Sequence, residues 1–570
     1  MKNAWPDTFL CLALLALVAP AAVVRAWPTN ECHDADLIIR NAKIITMDSA
    51  RAVVASMAIR HAYVLATGSD AEIAACASSR TQMLDLHGQA VLPGLIDVHT
   101  HALEWAKNVL RNDVDTGYPH VHSIAEIVKL VGERAASLPQ GKWIRGAGWD
   151  ESKLTEHRYI TRKDLDAVAP SHPVWLEHFT GHLGVANSRA LEVVHVTRDT
   201  ATPSGGIIDK DDSGEPTGVL KDNAQSLLSA VLPPDAPDLA LRATQLVTQK
   251  ALEVGLTSIH DISLASDAMH SYQQARKKGS LKVRVQMAPL VSSVAEAEAL
   301  ASCGVFTGFG DDNLKFGAVK MFADGGMAAK TIAVYEPAAG EPGNLGLLIW
   351  KPEDMQKAQH VLAAAGWQLE THAIGDRAMD EVLDSYQSVM KDLGLKEPRF
   401  RIVHAGLSTP AIQKRLRELH VLVDSNPAFV YWLGAFFPKY GPQRARWTYP
   451  ARSYFDSGIV AAGTSDVPVT PISPWWGIWA LVVRREMQTG QVLAPEERLS
   501  VLQALEMYTS NPAYIGFEEN QKGSLERGKL ADFIVVDRDV LHVPSDELKD
   551  VQVLQTFVGG ELVSTRLVPR

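Results

Sequence analysis

The chain has 570 residues, of which 46% are hydrophobic and 21% charged, values that exclude a mostly disordered chain and a protein with many membrane spans. Its net charge of −11 argues against a nucleic-acid binder, which presents a basic face to phosphates. Four cysteines are too few for a disulfide scaffold or a CxxC-type zinc module.

Residues 9–24 form one apolar run after Lys2, and Val24-Arg25-Ala26 offers a small-x-small cleavage pattern before Trp27. This predicts a signal peptide over 1–26 and a secreted or periplasmic protein. The alternative is an uncleaved membrane anchor, although the run is short for a span and contains Pro20. Cleavage leaves Cys32, Cys76 and Cys303, which allow at most one internal bridge. Short apolar or alternating runs follow at 36–48, 57–68 and 83–92, and others stand at 530–537 and 553–563. Two β-rich ends predict one small β-sandwich domain built from both termini, over 33–92 and 509–570.

Between them stand eight short apolar runs that end in polar residues, at 95–101, 256–261, 283–288, 318–324, 368–372, 400–404, 421–426 and 460–466. Helix-like segments such as 352–365 and 376–393 separate most of them. Strands alternating with helices predict parallel βαβ units. Eight such units predict an α/β fold, a (β/α)8 TIM-type barrel over 93–508 with chemistry at the C-terminal ends of its strands. The gap between the first two strands is too long for one helix, so residues 105–250 are expected to hold an inserted substructure.

Several strand ends carry metal-ligand types. His99 and His101 flank Thr100, and residues i and i+2 of a strand share a face, so both imidazoles can meet one cation. His372 and His404 close the fifth and sixth strands as single histidines. Asp466 ends the eighth; its alternatives are a ligand that accepts a proton from water and a helix N-cap. Lys320 stands inside an apolar strand, where burial favours the neutral amine. That amine can add carbon dioxide to give a bridging carbamate, or the lysine can pair with Asp324 or another acid. His182 and Trp149-Asp150 are candidates from the insertion, His182 for polarising a scissile carbonyl. Ten aromatic residues within 429–455, Trp432 among them, read as a pocket wall or lid for an apolar or aromatic substrate group, or as a homodimer interface.

The motifs PGLIDVHTH (93–101), VKMFADGG (319–326), THAIGDRAMD (371–380), RIVHA (401–405), GTSDVPV (463–469) and GSLERGKLADFIVVD (523–537) resemble, as a set, the amidohydrolase superfamily. Within it they are similar to the branch that includes N-substituted formamide deformylases. The resemblance implies a distorted (β/α)8 barrel with a small composite β domain. It implies His99 and His101 on one metal, His372 and His404 on a second, Lys320 as bridging ligand, and Asp466 as ligand and proton shuttle. Zinc, one or two ions, is the default. The implied reaction is hydrolysis of a non-peptide, amide-type carbon–nitrogen bond in a small molecule by metal-activated water. The alternatives are a deaminase, a carbamate or ester hydrolase, and a non-catalytic binding or signalling protein on this scaffold. Deaminases of the superfamily place a Glu after the fifth strand, where this chain reads Ala373-Ile374-Gly375-Asp376. Three departures from the branch bear on substrate identity. They are Gly326 in place of Ser, Lys330-Thr331 in place of Arg-Thr, and Thr180-Gly181-His182 in place of Asp-Gly-His.

Overall fold

The computed structural model describes residues 32–111 and 113–566. The expected signal or anchor segment lies outside the described residues. Among them, no helix is long and apolar enough to cross a membrane.

All eight expected strands form. We label them β1 (Leu95–Thr100), β2 (Leu256–Leu264), β3 (Arg284–Pro289), β4 (Val319–Phe322), β5 (Leu369–Ala373), β6 (Arg401–His404), β7 (Leu422–Ser425) and β8 (Ala461–Gly463). They make two parallel arcs, β1–β2–β3 and β4–β5–β6–β7–β8, each in chain order. Strands β1, β3, β5, β6, β7 and β8 are buried along their whole length, as parallel strands covered on both faces must be. One seam closes where Leu290 bridges Lys320 and the Val291 amide donates to the Lys320 carbonyl at 3.0 Å. The other closes where the Asp466 amide donates to the His99 carbonyl and the His101 amide to that of Val467, both at 3.0 Å. Lower on this seam the backbone of Met507 and Tyr508 stands between β1 and β8, accepting from Gly463 and Ile96. A Cβ at Gly463 would lie 2.4 Å from the Tyr508 ring, so only glycine fits there. These seams are the distortion of the barrel.

The barrel interior is not wholly apolar. Arg401 is fully buried between Glu370, which it touches through Nη2, and Asp424, 3.1 Å from Nη1. Helix Ser510–Ile515 closes the barrel base through Ala513 and Ile515, against Ile96, Val98, Leu422 and Ala462.

The two ends of the chain do share a sheet. Phe533–Val536 runs antiparallel to Ala90–Pro93 on one side and to Val553–Val558 on the other. A second sheet, built from 37–85 alone, packs over it through Ile39, Met57, Ile59 and Val64 against Val535 and Phe557. Cys32 and Cys76 form a disulfide at the edge of this unit, while Cys303 is free and exposed.

Between β1 and β2 the chain builds a six-stranded sheet from Val114–Asp115 to Pro216–Asp222. Its own core gathers Ile127, Val131, Trp149, Leu165, Leu176 and Leu183. Helices Ala102–Leu110 and Leu239–Glu253 flank it in sequence and pack on the barrel.

Candidate metal centre and cavity

The C-terminal ends of β1, β4, β5, β6 and β8 bring His99, His101, Lys320, His372, His404 and Asp466 together. The His99 and His101 rings lie 5.2 Å apart between centroids, His99 and His404 5.3 Å, and His372 and His404 4.5 Å. Asp466 Oδ1 stands 3.4 Å from Nε2 of both His99 and His101. Ligand atoms of His99, His404 and Asp466 all fall within 4.8 Å of one another. Thr100 turns the other way, its hydroxyl donating to the His260 carbonyl at 3.0 Å, as the i, i+2 reading of the HxH motif requires.

The imidazoles suit a cation. Burial pushes the His99, His372 and His404 rings well below the usual histidine range, and His101 to about 3; the Lys320 charge adds to this for all four. All four are therefore neutral and offer lone pairs. Their outer partners set which nitrogen points inward. His404 Nδ1 lies 2.7 Å from Asn426 Oδ1, which leaves Nε2 free. His372 Nε2 lies 3.2 Å from the Gly325 carbonyl and donates to it, leaving Nδ1 as a buried lone pair with no partner. An orphaned polar atom in a dry site is costly unless a cation takes it, so these residues fit a metal.

Lys320 is fully buried. Its Nζ sits 3.5 Å from His99 Nε2 and 4.6 Å over the Phe322 ring, and no carboxylate among the described residues reaches ion-pair distance. Burial pulls its amine down to about 8. Asp324, its alternative partner, instead accepts backbone amides of Ala333, Ile374 and Gly375 at 2.9–3.0 Å. Asp466 is likewise no helix cap: its carboxylate takes no backbone amide among the described residues, and burial raises it to about 7. Asp97, two residues before His99, accepts from the His99 amide, the Thr464 hydroxyl and the Ser465 amide, and so ties the HxH strand to the Asp466 turn. The sequence reading passed over Asp97, although its two-residue spacing from His99 placed it on the same face.

The centre opens into a cavity of about 1100 Å³ between the barrel mouth and the inserted sheet. His101, His182, His372, His404, Asp466, Asp150, Phe322, Trp350 and Trp432 line it. His182 and Trp432 thus stand where a substrate would meet them. Trp149 does not. Its indole is fully buried in the core of the insertion, donating to the Leu176 carbonyl at 3.0 Å and packing on His178 at 4.6 Å. The apolar neighbours in that core claimed the side chain, and only Asp150 next to it reaches the cavity. The aromatic run divides. Phe429, Phe436, Phe437, Tyr440, Tyr449 and Tyr454 are buried in the main core, Tyr431, Trp432, Trp447 and Phe455 are half-buried, and Trp432 alone of the run lines the large cavity. Asp222, invisible as a site residue in the sequence, lies against His182.

A parallel barrel with imidazoles, a carboxylate and a buried lysine at its strand ends is the architecture of metal-dependent hydrolases. The chain belongs to the amidohydrolase family, whose family model matches residues 82–564. It is 29% identical to the N-substituted formamide deformylase of Arthrobacter pascens, over 92% of this chain and 98% of that protein. It is 30% identical to Protein LONG AFTER FAR-RED 3 of Arabidopsis thaliana, over 96% and 93%. Among solved structures, an uncharacterized metal-dependent hydrolase from Pyrococcus horikoshii OT3 superposes with a TM-score of 0.71 at 25% identity, over 90% of this chain and 99% of that one.

Proposed function

We propose that this protein hydrolyses an amide-type carbon–nitrogen bond in a small molecule that carries an apolar or aromatic group. The observation that carries the reading is the placement of Asp466, whose carboxylate faces two ligand-type imidazoles at 3.4 Å and holds no structural hydrogen bond through its oxygens. The full-length similarity to a formamide deformylase supports the choice of bond. His99, His101, His372, His404 and Asp466 would hold one or two divalent ions, with Lys320 as a carbamate between them. Zinc is the first choice for so nitrogen-rich a set. Bound there, the metal supplies Lewis acidity and hydroxide near neutral pH. Asp466 takes the proton of the attacking water and returns it to the leaving nitrogen. Phe322, Trp350 and Trp432 exclude water and bind the apolar group.

We further propose that the chain is exported through its N-terminal segment; the Cys32–Cys76 bridge, of a kind that persists in oxidising compartments, supports this. The test of function is a hydrolysis screen of the zinc-loaded protein against N-formyl, N-acyl, carbamate and ester compounds. Turnover of N-formyl or N-acyl amines is expected. Turnover confined to carbamates or esters, or none with metal bound, would overturn the amide assignment.

A further inference from the structure

His182 does not stand alone at the cavity wall. Its Nδ1 lies 2.8 Å from Oδ1 of Asp222, and the Asp222 amide donates to the His182 carbonyl, also at 2.8 Å. The pair comes from neighbouring antiparallel strands of the insertion, Leu183–Ala186 and Pro216–Asp222, in which Leu183 faces Lys221. Asp222 holds φ 45° and ψ −126°, a backbone conformation that favours glycine and strains a residue with a side chain. Its carboxylate is buried, and Oδ2 has no hydrogen-bond partner.

The opposite wall is shaped to admit this pair. A Cβ on Gly326 would stand 2.8 Å from Cδ2 of the His182 ring, and a Cβ on Gly325 would stand 2.7 Å from Asp222 Oδ2. The two glycines after β4 are therefore the slot into which the pair fits.

The chemistry follows from donors and acceptors. A carboxylate only accepts, so the neutral imidazole beside it carries its proton on Nδ1 and presents Nε2 as a lone pair. Nε2 makes no hydrogen bond to any described residue, and the ring lines the cavity 5.0 Å from the His372 ring. A lone pair repels the carbonyl oxygen of a substrate, so this tautomer does not suit the polarising role expected from the sequence. It attracts a donor. In an N-monosubstituted amide, the donor adjoining the carbonyl carbon is the N–H of the scissile nitrogen.

We propose that Asp222 is a positioning residue that holds His182 as acceptor for this N–H, making the enzyme selective for N-monosubstituted over N,N-disubstituted amides. The selectivity rests on the amide reading above; the tautomer does not. A site built to pair an N–H rejects an analogue without one, because its own buried group is then left unpaired.

The test compares kcat/KM for matched N-methyl and N,N-dimethyl amides in wild type, Asp222→Gly and Gly326→Ala, all zinc-loaded. Glycine suits the backbone at 222, so D222G keeps the fold while losing the carboxylate; G326A keeps both side chains but crowds the ring. Wild type should prefer the N-methyl substrate by about 100-fold or more. Both variants should lose most of that preference at unchanged metal content. Equal losses on both substrates, with the preference intact, would show a merely structural role and overturn the proposal. A second readout needs no activity: ¹⁵N NMR of labelled histidines at pH 8, with His182 assigned by its loss in His182→Gln, should show the Nδ1–H tautomer. An Nε2–H or doubly protonated ring would also overturn it. If wild type turns over neither amide, the substrate reading falls, and the NMR result alone then decides the pairing.

Discussion

At the scale of single residues, Asp466 and Lys320 are buried in one site, and the proposed mechanism gives them separable duties. Asp466→Asn keeps shape and an oxygen ligand but cannot take a proton. Bound metal should be largely retained while kcat falls by about 100-fold or more, as measured by elemental analysis beside steady-state kinetics. Lys320→Ala should lose most metal and activity, and bicarbonate with a short carboxylic acid should restore part of both by supplying an anionic bridge. Full metal and rate in that variant would remove the bridge from the account. Trp432→Ala takes apolar wall from the cavity and should raise KM for bulky aromatic substrates more than for small ones. The ligand-type residues were legible in the sequence because each histidine or aspartate interrupts an otherwise apolar strand at its end. Trp149 and Asp222 were not. An indole at the end of a strand reads the same whether it turns to the cavity or the core, and nothing local pairs Asp222 with a histidine 40 residues earlier.

At the scale of elements, the segment after helix Ser510–Ile515 is pinned to the barrel by a buried triad. Glu518 pairs with Lys315 beyond β3 and, at 2.7 Å, with Lys522, whose Nζ also donates to Ser258 of β2 at 2.8 Å. Burial opposes the Glu518 charge, yet the two ammonium groups outweigh it and hold the carboxyl down at about 2. Burial pulls the Lys522 ammonium below its ordinary value despite this partner, so the net gain of the triad is smaller than Glu518 alone suggests. The folded value of Glu518 lies below its ordinary 4.5, so its stabilisation is complete above pH 4.5 and is lost as pH falls toward 2. Glu518→Gln should lower stability at pH 7 by about 3–5 kcal/mol, the cost of leaving buried lysine charge unpaired, and flatten the acid limb between pH 4.5 and 2. Denaturant titrations across that range measure both. The Cys32–Cys76 bridge closes a loop of 44 residues. In the chain-entropy model, its removal by Cys76→Ser or reductant costs up to about 4 kcal/mol, readable as a lower unfolding midpoint. Elements were the most legible scale. Eight strands buried in a closed sheet must read as apolar runs, whereas the aromatic run deceived because core and cavity wall demand the same side chains.

At the scale of the whole molecule, alternating strands and helices announced the barrel, and two β-rich ends announced a shared unit. The seams were hidden, because the backbone of Met507 and Tyr508 between β1 and β8 leaves no periodic mark. The shared sheet has a consequence in time. Val91 lies on the strand that leads directly into the HxH motif, and its partner Val535 is made some 440 residues later. At about 5–20 residues per second, the ribosome takes roughly 20–90 s to deliver that partner. Throughout this interval the Ala90–Pro93 edge has no cover on that side, and β1 waits for the closing strand of its own barrel. Completion of this sheet, and of the barrel beside it, therefore waits until synthesis is nearly finished.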